Sequence, residues 1–305
     1  MNQRFQWHAP FARRLLFSAL VLVQGAVLAQ TAKFEELKAQ AEKGDAQTQF
    51  IVGQIYEAGQ QVPKDDAEAA KWYRKAAEQN FGLAQYFLGS LHDHGPAKLQ
   101  DYTEAAKWYR KAADQGIAPA QYALGLLHED GHGVPQDFKE AAKWYAKAAQ
   151  QNHAPAQHSL GLLYEKGKGT YRDDFQALEM YLKAAVQGDA LAQFKLGSLY
   201  YDGRGAAQDL AEALKWFRKA ADQGVAEAQF NLGVMLATGQ GTQPDHVESF
   251  KWFTLALKQG KAEALANRDA LARSMKPEQI VEAHRRAKAF KPTQTAASKS
   301  PTLGR

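Results

Sequence analysis

Residues 120–155, AQYALGLLHEDGHGVPQDFKEAAKWYAKAAQQNHAP, place apolar side chains on two separate helical stripes. Ala120, Leu124, Leu127 and His128 recur at three- and four-residue spacing, which predicts a first helix with one face turned inward. Gly131 stands where that helix must stop, as a residue free to take positive φ, and Gly133, Val134 and Pro135 follow as a loop. Asp137 opens a second helix as an N-cap or first-turn acid, where a carboxylate meets free amide groups and the positive end of the dipole. Ala141, Trp144, Tyr145 and Ala148 form the buried stripe of this second helix, and Asn152 closes it.

The same pattern returns every 36 residues. Trp72, Trp108, Trp144, Trp216 and Trp252 share one position, and only Met180 interrupts the series. Gly53, Gly89, Gly125, Gly161, Gly197 and Gly233 share another, in the middle of each first helix. The loop glycines and the helix-opening aspartates, Asp65 through Asp245, keep the same register, so six helix-turn-helix units tile residues 48–263. A fixed period of this length is the mark of a repeat array in which each unit buries its apolar face on its neighbours. The fold expected is therefore an all-α, right-handed α/α superhelical solenoid, forming one elongated domain with helical caps. The tryptophans are read as packing between successive hairpins, and the mid-helix glycines as marks of a close helix crossing, since glycine otherwise costs a helix about 1 kcal/mol.

With A-Q-x-x-L-G in the first helix, G-x-G-V-x-x-D in the loop and A-x-x-W-Y-x-K-A-A in the second, the chain resembles the Sel-one-like repeat family of tetratricopeptide-like solenoids. The resemblance implies an adaptor that binds another protein on its concave face, and secreted bacterial members imply a role in the cell envelope. A cysteine-rich branch of the family implies an alternative, a cell-wall protein that binds muropeptides or β-lactams or weakly hydrolyses the latter. That branch staples each unit with a disulfide, whereas this chain has no cysteine.

The ends differ in composition from the repeats. Arg4, Arg13 and Arg14 precede an apolar run that closes in Val27, Leu28 and Ala29, which predicts a secretory signal peptide over 1–29 and a periplasmic or secreted mature chain. Residues 30–47 predict a capping helix through Phe34, Leu37 and Ala41, residues 264–290 two further capping helices, and residues 291–305 a disordered basic tail. Loss of the three leader arginines lowers the formal charge from +5 to +2. Residues 268–305 hold nine basic and three acidic side chains, so the repeat body is mildly acidic and unlike a nucleic-acid surface. No membrane insertion after signal cleavage is expected, and the chain is read as a monomer.

Positions that vary between units are the candidates for a partner. On the first helices one such face carries Ile51; Phe87 and Ser90; Ala123 and Leu126; Ser159 and Leu162; Lys195; and Asn231 and Val234. Five large apolar residues on a face that varies predict a groove for a protein segment, with apolar anchors toward the N-terminal units and polar contacts toward the C-terminal ones. Catalytic chemistry is not expected. Residues 128–132 read HEDGH, the zinc-protease string, yet Gly131 places His132 beyond the helix, and HDHGP at 92–96 and YEKGK at 164–168 show His128 to be a packing position. No S-x-x-K, K-T-G or G-x-S-x-G string occurs, so neither metal, cofactor nor nucleophile is expected.

Overall fold

The computed structural model describes residues 33–293, and every regular element among them is a helix. The expected signal peptide at 1–29 lies outside the described residues. Helix contacts group the chain into two compact units divided between Gln115 and Gly116. In a repeat array contacts are confined to neighbouring elements, so a division can fall at any repeat boundary.

In the first unit α1 (33–42) precedes two hairpins, α2 (Ala46–Ala58) with α3 (Asp66–Glu78) and α4 (Gly82–His94) with α5 (Tyr102–Asp114). Phe34 and Ala41 of α1 are buried with Val52, Ile55 and Trp72. In the second unit the hairpins are α6 (Ala118–Asp130) with α7 (Phe138–Gln150), α8 (Ala154–Lys166) with α9 (Asp174–Val186), α10 (Ala190–Asp202) with α11 (Leu210–Asp222), and α12 (Ala226–Thr238) with α13 (His246–Lys258). Each of those second helices also packs on the first helix that follows it within the unit. Both α14 (Ala264–Ala272) and α15 (Pro277–Ala289) pack on α13.

Helix boundaries follow local chemistry. Asp137 has extended backbone, and its carboxylate accepts from the amides of Lys139 and Glu140 at 2.8 and 3.1 Å, while Asp65, Asp101 and Asp209 cap in the same way. Gly131 ends α6 at φ 74 with its amide bonded to the Leu127 carbonyl. Gly95 departs from this column: its φ is −70 and ψ −179, because the proline that follows it at position 96 disfavours the helical regions and holds the preceding residue extended.

Packing between hairpins is set by the aromatic positions. Trp216 joins the cluster formed by α9 and α10, Trp252 the one formed by α11 and α12, and Met180 takes the same place over α7 and α8. A lysine three residues on lies over the ring face, Lys147 on Trp144 at 3.8 Å and Lys219 on Trp216 at 4.2 Å, so these cations shield the tryptophans rather than standing free. The mid-helix glycines face a ring first, and at Gly53 and Gly161 a backbone carbonyl of the second helix lies next, at 3.3 Å from an added β-carbon. A β-carbon at Gly161 would come within 2.9 Å of Tyr181, and one at Gly125 within 2.5 Å of Tyr145. Gly161→Ala is therefore expected to destabilise by about 1–3 kcal/mol through overpacking, opposite in sign to the gain of about 1 kcal/mol that helix propensity alone gives, as read by urea denaturation.

A polar ladder runs through this apolar frame. The amide of buried Gln157 donates to the Ala149 carbonyl at 3.1 Å and its oxygen accepts from Gln187 at 2.7 Å. Gln193 does the same with Ala185 and Gln223, and Gln229 with Ala221 and Gln259. Each glutamine thus gives a second donor to a carbonyl at the end of the preceding second helix and ties its own two helices together.

After α15 the chain turns back. Phe290 meets the Trp252 ring edge-on at 5.4 Å, and the Thr293 amide donates to the Asp222 carbonyl at 2.8 Å. Residues 291–293, the first of the tail expected to be disordered, are thus placed against α11, and the rest of that tail lies outside the described residues.

The face of the first helices

The side chains proposed from sequence divide by environment. In the first unit Ile51 is exposed and Ser90 half-buried, whereas the Phe87 ring sits 5.3 Å from Phe50 and 5.6 Å from Tyr73. Phe87 therefore belongs to an aromatic cluster that closes the core, and is not a free anchor. In the second unit Ala123 is only 6 % exposed, so it cannot be a contact residue, and Leu126 and Val234 lean on the cores beside them. Ser159, Leu162, Lys195 and Asn231 remain half-exposed on the face of α8, α10 and α12.

Two further columns line this face and were not singled out from the sequence. In the first, each ring lies against the second-helix ring of its own hairpin: Tyr122 on Tyr145 at 5.6 Å, His158 on Tyr181 at 5.9 Å, Phe194 on Phe217 at 5.9 Å, and Phe230 on Phe253 at 5.9 Å. In the second, a carboxylate accepts the tyrosine hydroxyl sixteen residues on, Glu129 from Tyr145 at 2.7 Å and Glu165 from Tyr181 at 2.8 Å. The first unit repeats this with Glu57 and Tyr73, and with Asp93 and Tyr109. Burial, then the neighbouring carboxylate, holds the Tyr145 and Tyr181 hydroxyls far above the ordinary phenol range, so they stay protonated and donate to that carboxylate. Where the second-helix residue is Phe217 or Phe253 no hydroxyl exists, and Tyr201 and Ala237 replace the acid. That joint change was the signal available in the sequence. In the second unit this column thus carries acids in the first two repeats, and Tyr201 and Ala237 in the last two.

Glu165 is the centre of a charge network between two repeats. One oxygen receives Tyr181 and Lys195 Nζ at 3.1 Å, and the other receives Arg204 Nη1 at 3.3 Å. Arg204 continues to Asp174 at 2.7 Å, which also meets Arg172 at 3.0 Å. Burial pushes the Glu165 carboxyl upward, but the Tyr181 hydrogen bond and the two cations outweigh it, leaving the group below its ordinary value. A depressed carboxylate contributes stability above its unfolded pKa and loses it as the pH falls through its folded one. Glu165→Gln should thus cost on the order of 1–2 kcal/mol at neutral pH, and the gap in melting temperature from the parent should close below about pH 4.

Elsewhere the histidines have structural partners. His92 Nδ1 lies 2.8 Å from the Leu99 carbonyl, and His158 lies 3.4 Å from the Asp189 carboxylate. Within HEDGH, His128 is in α6 while His132 follows Gly131 into the loop, so the two imidazoles do not stand on successive turns of one helix. Among the described residues no three His, Asp or Glu side chains are grouped to hold a metal ion, and no helix is long and apolar enough to cross a membrane.

This repeated geometry has close counterparts. The Sel1 repeat model matches residues 46–81, 82–117, 118–153, 154–189, 190–225 and 226–261 in unbroken succession. The chain belongs to the Sel1 repeat family. A crystal structure of a protective antigen of uropathogenic Escherichia coli displaying an SLR fold is 35 % identical with TM-score 0.74, over 84 % of this chain and 56 % of the antigen. This Sel1 chain thus spans little more than half the length of that relative. A Sel1 repeat protein from Oxalobacter formigenes is 33 % identical with TM-score 0.67, over 77 % of this chain and 68 % of its own. No curated protein sequence matches. Sel1 repeats generally serve as scaffolds for protein interaction, and their solenoid fold is typically non-catalytic.

Proposed function

We propose that this Sel1 protein is a non-enzymatic, monomeric adaptor of the bacterial envelope that binds a segment of a partner protein on the first-helix face of its second unit. The observation that carries the reading is the divided use of side chains along α8, α10 and α12. Gly161, Gly197, Gln157 and Gln193 repeat because each completes a contact within the fold, whereas Ser159, Leu162, Lys195 and Asn231 differ from repeat to repeat and stay half-exposed. Mixed polar and apolar side chains at regular spacing suit an extended or helical segment laid across successive repeats. The leader-like residues 1–29 support export to the periplasm.

Affinity purification of the tagged protein from the envelope fraction of its host tests this, run beside a Leu162→Arg/Asn231→Arg variant shown by its melting curve to be folded. Phe87 and Leu126 are unsuited to the purpose because both close the core. A protein captured by the parent and lost with the variant is the expected result. Equal capture by both would remove this face from the function.

A further inference from the structure

Two carboxylates of the second unit occupy equivalent places but are not equally occupied. At Glu165, positions 30 and 39 residues further on supply Lys195 and Arg204, and both oxygens are filled by the chain itself. At Glu129 the same two positions hold Ser159, which has no charge, and Lys168, whose ammonium lies over the Phe138 ring at 4.7 Å instead. Glu129 Oε2 receives Tyr145, and neither cation of the other repeat has a counterpart on it. Asp130, the next residue, is exposed. Ser159 holds the position in α8 that Lys195 holds in α10, Leu162 lies one helical turn further along α8, and both are half-exposed.

We infer that the bound segment presents a lysine or arginine side chain to Glu129, taking the place beside Ser159 that Lys195 takes one repeat later, with an apolar neighbour on Leu162. This rests on the first-helix face being the binding face and adds the chemistry of its occupant. The filled arrangement at Glu165 shows that the fold holds an ammonium and a guanidinium at this level without distortion. A half-buried carboxylate whose tyrosine partner is fixed in place is a preorganised acceptor for such a group.

The test is a selection of random peptides displayed on phage against the purified full chain, followed by affinities of the enriched peptides. Glu129→Gln keeps an acceptor for Tyr145 and removes the charge. Ser159→Lys installs the internal cation that the next repeat already has, and should leave the melting temperature unchanged or raised. Enriched peptides carrying Lys or Arg, weakened about tenfold or more by either variant and progressively by salt, are the expected result. Peptides that Leu162→Arg displaces but that lack a basic residue, or that bind Glu129→Gln as tightly as the parent, would overturn the inference and leave the binding face standing. A selection that enriches nothing displaced by Leu162→Arg would overturn both.

Discussion

Gly205→Ala is expected to cost on the order of 3 kcal/mol, a large fraction of the stability of a typical domain. Gly205 is the second glycine of its loop and sits at φ 73, where any β-carbon adds strain. Its α-carbon also lies against the start of α9 in the preceding repeat, so an added methyl would run into the Asp174 carbonyl. A side chain in that position could rotate away, but a backbone carbonyl inside a capped helix cannot. The same loop carries Arg204, whose bonds to Asp174 and Glu165 would be pulled out of register with it. A fall in urea midpoint with an unchanged slope is the result predicted, and Gly260→Ala serves as a reference: it has positive φ, yet an added β-carbon would meet nothing within 4 Å. Gly260→Ala should cost only the strain of its φ, roughly 1 kcal/mol.

Gln193→Leu is the second large effect, with an expected loss of about 2 kcal/mol. Leucine fits the volume, and on area alone it would stabilise a buried site. What it removes is one hydrogen bond from the Ala185 carbonyl near the end of α9, which keeps the Gly188 amide, and one from the side-chain amide of Gln223 after α11, which keeps the Gly188 carbonyl. Two hydrogen bonds are lost with nothing to replace them, at about 1 kcal/mol each. A second substitution, Gln223→Leu, should cost less in this background than in the parent, because the bond between the two side chains is already gone. A double-mutant cycle by thermal or urea denaturation measures this directly. Strict additivity of the two changes would show that the ladder is not coupled.

Much of this architecture was legible before any coordinates. Helix limits could be read because each is fixed by one or two adjacent residues, an aspartate that caps or a glycine that turns, and the exception at Gly95 arises from the proline beside it. The packing role of the tryptophans was readable because it recurs at a constant spacing. What the sequence concealed was the partition of the first-helix face. Phe87, Ala123 and Leu162 lie on one helical stripe, yet one ring is held by Phe50 and Tyr73, one methyl is buried, and one side chain stays half-exposed. Helical spacing gives direction around one axis, whereas burial at the edge of the stripe depends on how neighbouring hairpins lean together. The charge network was hidden for a related reason. Glu165, Lys195 and Arg204 are 30 and 39 residues apart, and only the stacking of two repeats brings them into contact.

The most direct test of the account is site-specific crosslinking, which the absence of cysteine makes simple. A photoactivatable group attached to a single cysteine at Ser159 reports from the first-helix face, and one at exposed Lys183 reports from the second helix of the same repeat. Irradiation in cells that make the protein, followed by mass spectrometry, should give an adduct with one partner protein from position 159 and none from position 183. An adduct from position 183 alone would place the interaction on the second helices and contradict the account.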